Sequence, residues 1–335
     1  MDQAFIINIG QLLLGILFLV VGGEFLVRGS VSIANHFKIS SLVIGLTVVA
    51  FGTSAPELMV SFDAALTGHP EIALGNVIGS NIANIALVLG LTVIILPMPV
   101  NQQTIKRSWP IMFLSGGLLF AFMSNNLIDQ IEGVALFALL ILFIISSIRS
   151  ANKFPIHIKI PKPKNEHKIG FYVLMVIIAS AGLAFGSKFL VNGASGLALN
   201  MGISERIISI TVVAFGTSIP ELTTSIIAAF RKESDISVGN IIGSNIFNVF
   251  AVIGITAGYR SIPLKFSEFS IDLTFMMIFY LLLLLSMMPL GFLFRNNGTS
   301  FASRYRAVTQ GKISRIQGSI FVLLYVSYII LIFKS

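Results

Sequence analysis

Residues 47–58 read TVVAFGTSAPEL and residues 211–222 read TVVAFGTSIPEL, agreeing at 11 of 12 positions 164 residues apart. In the same register, residues 75–84 (GNVIGSNIAN) agree with 239–248 (GNIIGSNIFN) at 8 of 10. Upstream, Phe25-Leu26-Val27 aligns with Phe189-Leu190-Val191 and Gly29 with Gly193, so the similarity runs without a gap from about 22–91 against 186–255. The chain is an internal duplication. Whatever one copy folds into, the other must fold into as well.

Each copy lies among apolar stretches long enough to cross a bilayer, which takes about 20 residues. Ten such stretches are predicted: 4–27, 41–67, 71–96, 108–125, 129–148, 169–191, 204–230, 236–259, 268–291 and 316–333. The first reads as a span and not a secretion signal, because only Asp2 precedes it where a basic segment is required. Composition agrees with a membrane protein. The chain is 55% hydrophobic and 11% charged, against about 25% charged for a soluble domain. The absence of cysteine excludes disulfides, thiolate metal sites and a thiol nucleophile.

Five spans per copy is an odd number, so the second copy enters the membrane from the opposite side. The expected fold is therefore an all-α integral membrane protein of ten transmembrane helices in two inverted-topology five-helix repeats. Residues 1–148 form the first repeat, 149–168 a linker with Pro155, Pro161 and Pro163, and 169–335 the second repeat. With this alternation, 17 of the 22 Lys and Arg fall on one side. The positive-inside rule makes that side cytoplasmic and places both termini outside. It also accounts for the net charge of +8 without a nucleic-acid partner.

The repeat keeps polar residues at membrane depth, where they are costly and by default functional. Glu57 and Glu221 fall near the middle of the second and seventh spans. Thr53 and Ser54, four and three residues earlier, share the face of Glu57, as does Ala50; Thr217, Ser218 and Ala214 repeat this around Glu221. Pro56 and Pro220 cannot donate a backbone hydrogen bond, and each follows a glycine four residues back (Gly52, Gly216). Both helices are therefore expected to break just before the carboxylate, freeing backbone oxygens into a cavity. In the third and eighth spans, Asn76, Ser80 and Asn84, and Asn240, Ser244 and Asn248, line single helix stripes. Gly75/Gly79 and Gly239/Gly243 form GxxxG patterns that admit a close neighbour.

This set contains hard oxygen donors only, because His36, His69, His157 and His167 all fall in or near loops. Oxygen-only sites suit Ca²⁺, or Na⁺ of similar size, rather than Zn²⁺ or Cu. Two carboxylates neutralise one Ca²⁺ and attract monovalent cations when it leaves, which is a physical basis for exchange.

The segments AFGTSAPEL with GNVIGSNIAN, and AFGTSIPEL with GNIIGSNIFN, resemble the two α-repeats of the Ca²⁺/cation antiporter superfamily, specifically the prokaryotic sodium/calcium exchangers. The resemblance implies an antiporter exchanging Ca²⁺ for Na⁺ by alternating access, with no cofactor and no obligatory protein partner. It implies that Glu57 and Glu221 coordinate Ca²⁺ with backbone oxygens of Thr53 and Thr217. Ser54, Ser80, Ser218 and Ser244, with the Ala50 and Ala214 carbonyls, would build Na⁺ sites, and Asn84 and Asn248 would close the centre. Helices one and six would slide across this core. Some relatives carry Asp at one of the two central positions; here both are Asn, which argues against K⁺ dependence. The resemblance also implies a bacterial plasma-membrane location.

A cation/proton antiporter on the same fold and a cation channel remain alternatives. An intramembrane hydrolase does not, because Ser54 and Ser218 have no base at helical spacing. The lack of GxxxxGK[ST] argues against an ATP-driven pump. Glu24 and Lys188 are expected to snorkel to the interface, Asp63, Asp129, Glu132, Glu268 and Asp272 to sit solvated near span ends, and Trp109 to act as an interfacial anchor.

Overall fold

The computed structural model describes residues 3–151, 168–202, 216–288 and 310–334. Much of the 149–168 linker and the start of the seventh span, with Ala214, lie outside the described residues. The described residues are almost wholly helical. Helix α1 (Gln3–Phe37) is followed by α2, which runs from Ser41–Ile44 through a π turn at Gly45–Val49 to Ala50–Thr53, and by α3 (Ala55–Leu66). Helix α4 comprises Pro70–Ala83, a π turn at Asn84–Leu89 and Gly90–Ile95. Helix α5 opens with a π turn at Thr104–Ser108 and continues through Trp109–Met123; α6 is Gln130–Ala151. The second half contains α7 (Ile169–Asn200), α8 (Ile219–Phe230), α9 (Ser234–Phe247, a π turn at Asn248–Ile253, Gly254–Tyr259), α10 (Phe266–Met287) and α11 (Arg315–Lys334).

The duplication is exact in backbone terms around the motifs. Helices α3 and α8, the two parts of α4 and α9, and their π turns all begin and end 164 residues apart. Where residues are described, every predicted span is largely helical, with breaks at Ser54 and at Thr217–Ser218. Among these, seven helices are long and apolar enough to cross a membrane, or eight if α2 and α3, bent by 46°, count as one. The expected number of ten is not reached by that criterion, partly because α8 has 12 described residues. Helices α1 and α7 also run about ten residues past the predicted ends of their spans, to Phe37 and Asn200.

Two short antiparallel ribbons qualify the all-α expectation. Strand β1 (Met98–Asn101) pairs with β4 (Gln310–Ile313), and β2 (Leu127–Ile128) with β3 (Ile262–Pro263). Each ties a segment after α4 or α5 to one in the second half.

Burial separates centre from periphery. The most apolar window of α9 is 89% buried and that of α4 72%, whereas that of α1 is 17% buried. Outer helices therefore expose Leu13, Leu17, Phe18, Ile177 and Ile178, as lipid-facing helices do.

Helices α1 and α7 lie antiparallel along a seam of small residues. Gly15, Gly22 and Gly29 recur every seven residues, and so do Ala179, Gly186 and Gly193 in the other helix. A side chain at Gly22 would meet the Ala179 carbonyl at 3.1 Å, and one at Gly15 the Gly186 carbonyl at 2.9 Å. Without a hydrophobic force between helices in lipid, such close backbone approach is what holds them together.

Candidate cation-binding site

The break expected before each carboxylate is present. Ser54 (φ −85°, ψ 3°) separates α2 from α3, and Ser218 (φ −87°, ψ 0°) precedes α8. Pro56 and Pro220 occupy the first turn of the restarted helix, where a missing N–H costs nothing. Glu57 and Glu221 lie in that same first turn, and the positive end of a helix favours an anion there.

Both carboxylates have no exposed surface, nor do Thr53, Ser218, Ser244, Asn84 and Asn248. Ser54 and Ser80 are buried, and Thr217 is partly buried. The two halves supply one cluster. Ser54 Oγ donates to Glu221 Oε1 at 3.4 Å, and Ser244 Oγ to the same oxygen at 3.5 Å. Thr53 Oγ1 lies 3.0 Å from Asn240 Oδ1 and 3.3 Å from Ser244 Oγ. Its counterpart Thr217 Oγ1 lies 3.5 Å from Ser80 Oγ. Thr53–Ser244 and Thr217–Ser80 are one contact with the repeats exchanged, the reciprocity that a two-fold relation produces. Within each half, Asn76 Nδ2 donates to Ser61 Oγ at 3.0 Å and Asn240 Nδ2 to Ser225 Oγ at 3.2 Å. These two stripe residues thus brace α4 to α3 and α9 to α8.

Close packing supports the cluster. Side chains at Gly239 and Gly243 would meet the carbonyls of Leu42 and Leu46 at 2.8 Å, so α9 lies directly on α2. The Ala50 carbonyl accepts from Ser54 N–H at 2.9 Å and from Thr53 Oγ1 at 3.3 Å. Its intrahelical bond to Ser54 is kept, so the break itself does not free this oxygen.

Several buried atoms in this cluster have no hydrogen-bond partner. They are both carboxylate oxygens of Glu57, Oε2 of Glu221, Oγ of Ser218, Oδ1 of Asn248, and both side-chain polar atoms of Asn84. Leaving buried carboxylate oxygens unpaired is expensive. Six of the seven atoms are oxygens, and they belong to residues of both repeats. No Lys or Arg pairs with either carboxylate among the described residues. Such a donor set fits a hard cation.

Sequence reasoning missed Asn81 and Asn245. Asn248 Nδ2 donates to Asn81 Oδ1 at 3.1 Å, and Asn81 Nδ2 to the Asn245 carbonyl at 3.4 Å. A signal was available, since both are identical across the repeat. The π turns had none; two of them begin at Asn84 and Asn248, and such turns concentrate at functional sites.

Other expectations change. Glu24 does not snorkel alone: it forms ion pairs with Arg28 at 2.6 Å and with Arg231, joining α1 to the segment after α8. Asp129 and Glu132 form a reciprocal capping box at the start of α6, through bonds of 2.9 and 2.8 Å. Asp272 accepts from Tyr328 at 2.7 Å. Trp109 donates to the Tyr280 carbonyl at 2.7 Å and so ties α5 to α10.

The chain is similar to known proteins in sequence and fold. Residues 7–149 and 171–334 match the family described as sodium/calcium exchanger protein. The sodium/calcium exchanger MaX1 of Methanosarcina acetivorans is 30% identical over 98% of this chain and 99% of its own. The inner membrane protein YrbG of Escherichia coli is 33% identical over 81% of this chain and 87% of its own. The sodium-calcium exchanger NCX_Mj, solved after soaking with 10 mM Na⁺ and zero Ca²⁺, superposes with a TM-score of 0.77 at 33% identity, covering 97% of this chain and 98% of that one. On this match the chain belongs to the sodium/calcium exchanger protein family, whose members are transporters and not enzymes.

Proposed function

We propose that this protein is a secondary antiporter that exchanges Ca²⁺ for Na⁺ by alternating access at the buried cluster. The observation that carries the reading is the pair Glu57 and Glu221, buried together with unpartnered oxygens from both repeats. Two negative charges in a low-dielectric interior require compensating positive charge. One Ca²⁺ or Na⁺ ions supply it, and their occupancies compete. An empty, doubly charged cavity is the costliest state, so the cluster resists reorienting without cargo. That couples the two fluxes.

In this reading Glu57 and Glu221 are the charged ligands. Thr53, Thr217, Ser54, Ser218, Ser80, Ser244, Asn84 and Asn248, with the backbone oxygens of Ala50 and Ala214, complete the ion sites. The duplicated halves, 1–148 and 169–335, are two inverted five-helix units joined by a cytoplasmic 149–168 linker. The helices cross a bacterial plasma membrane with both termini outside, as the distribution of Lys and Arg favours.

The test is Ca²⁺ uptake into Na⁺-loaded proteoliposomes diluted into Na⁺-free medium, with a parallel pH-gradient arm. Uptake driven by the Na⁺ gradient and lost in Glu221→Gln is expected. Uptake driven only by the pH gradient would replace Na⁺ by H⁺ and overturn the coupling. Uptake that needs no counter-ion would indicate a channel.

A further inference from the structure

Asn81 lies one residue beyond Ser80 and reaches across to the second repeat. Its Nδ2 lies 3.4 Å from the Asn245 backbone carbonyl and 3.7 Å from Met276 Sδ. Both partners can only accept, so the end of the Asn81 amide that faces them must be the –NH₂. Its carbonyl end then faces the other way, 3.1 Å from Asn248. That oxygen also only accepts, so Asn248 must turn its own –NH₂ toward it. What remains is Asn248 Oδ1, buried in the cluster with no hydrogen-bond partner. The polarity of one backbone carbonyl is thus handed through two side chains to a single free oxygen.

We infer that Asn81 is a positioning residue that fixes Asn248 with its carbonyl oxygen, and not its –NH₂, presented to the transported cation. The inference rests on the antiport reading, which makes Asn248 an ion ligand. An asparagine amide has two ends of nearly equal shape and opposite polarity, and a cation accepts only one. An amide without an anchor spends part of its time reversed, and the ion must then select the competent orientation. That lowers apparent affinity by the competent fraction and leaves the bound state unchanged.

The other half lacks this anchor. Repeat symmetry would pair Asn84 with Asn245 Oδ1, but that oxygen accepts from Tyr280 Oη at 3.4 Å, while Asn245 Nδ2 donates to the Ile241 carbonyl at 2.7 Å. Asn84 accordingly has neither side-chain atom bonded. Tyr280 finds room because the position 164 residues earlier is Gly116, where a Cβ would lie 2.9 Å from the Tyr280 ring. The site therefore holds one anchored amide and one free amide.

The experiment measures Na⁺-driven Ca²⁺ uptake by the full chain in proteoliposomes for wild type, Asn81→Leu, Asn248→Asp and the double variant. Asn81→Ala replaces Asn81→Leu if the latter does not purify as a monodisperse protein. We expect Asn81→Leu to raise the KM for Ca²⁺ about tenfold, as for an amide correctly turned about a tenth of the time, with kcat within about twofold of wild type. Asn248→Asp presents an oxygen whichever way it turns, so on that background Asn81→Leu should leave KM unchanged. A merely structural Asn81 would penalise both backgrounds alike. An unchanged KM in Asn81→Leu, a loss confined to kcat, or the same penalty on the Asn248→Asp background would each overturn the inference alone. Failure of wild type to couple Ca²⁺ uptake to Na⁺ would overturn the antiport reading itself.

Discussion

Ser54 of the first repeat donates to Glu221 of the second at 3.4 Å. A hydroxyl from Glu221's own repeat, that of Ser244, reaches the same oxygen at 3.5 Å. The carboxylate is therefore held by both halves at once, and neither half contains the whole of the proposed site. A movement of one repeat against the other changes the surroundings of Glu221 directly.

Replacing Glu57 or Glu221 by Gln removes a negative charge and keeps the shape. Each variant should fold, because it relieves a buried charge instead of creating one. Na⁺-driven Ca²⁺ uptake should fall at least about a hundredfold, the loss of roughly 3 kcal/mol expected when a desolvated charge partner is removed. Size-exclusion chromatography with the proteoliposome assay checks both statements; a well-folded variant with more than a tenth of wild-type uptake would contradict them.

Ser54→Ala and Ser244→Ala each remove one donor from Glu221 Oε1. A hydrogen bond to a charged group contributes about 1.5–3 kcal/mol, but the bonds here are long. Each variant should therefore change the KM for Ca²⁺ or Na⁺ by roughly three- to tenfold. Because the two serines share one oxygen, the double variant should depart from the sum of the single effects. Concentration–rate curves for both ions decide this.

Gly186→Val places a side chain in the seam between α1 and α7, where a Cβ would lie 2.9 Å from Leu19 N. Backbone atoms cannot yield as a flexible side chain can, so overpacking should cost about 1–3 kcal/mol. A lower thermal midpoint in detergent is expected. Gly170→Val, at a position with nothing within 4 Å of the added Cβ, is the control and should melt like wild type.

Glu233 precedes α9, and Ser41 Oγ donates to its Oε2 at 3.2 Å. Burial is the largest influence on it and raises its pKa above the usual 4.5; Asp235 adds to the rise, and Ser41 and Arg231 oppose it. The folded state therefore holds the proton more tightly than the unfolded chain. The associated stability is present below about pH 4.5 and is lost as pH rises through the raised folded value. Glu233→Gln should remove this loss, melting later than wild type at neutral pH, with the difference closing on acidification. Thermal melts across pH test the sign.

The repeat made the proposed ligands legible and hid their differences. Glu57 and Glu221, Ser54 and Ser218, and Asn84 and Asn248 could be found because polar identity at membrane depth in two copies has few explanations. Asn81 and Asn245 carried the same signal, but a helical stripe through Ser80 leaves them on a different face, and only the packing of α4 against α9 makes that face matter. Glu24 was misread because its partner Arg231 is 207 residues away and comes close only through folding. The ribbons at 98–101 and 127–128 are too short for a periodic pattern, and each depends on a distant partner strand. Helix ends at Phe37 and Asn200 escaped a hydropathy reading because a helix does not have to stop where the bilayer does.

The Tyr280–Gly116 pair also bears on ancestry. Two separate, identical half-length chains assembled around a two-fold axis would carry the same residue at both places. Tyrosine at both would set a Cβ of one copy 2.9 Å from the ring of the other, and glycine at both would leave the space empty. The arrangement seen here thus requires two separately encoded copies, as the two halves of this polypeptide are, so that each can mutate without altering its twin. The lopsided treatment of Asn84 and Asn248 is in that sense younger than the duplication, a refinement that became accessible only once the two copies could diverge.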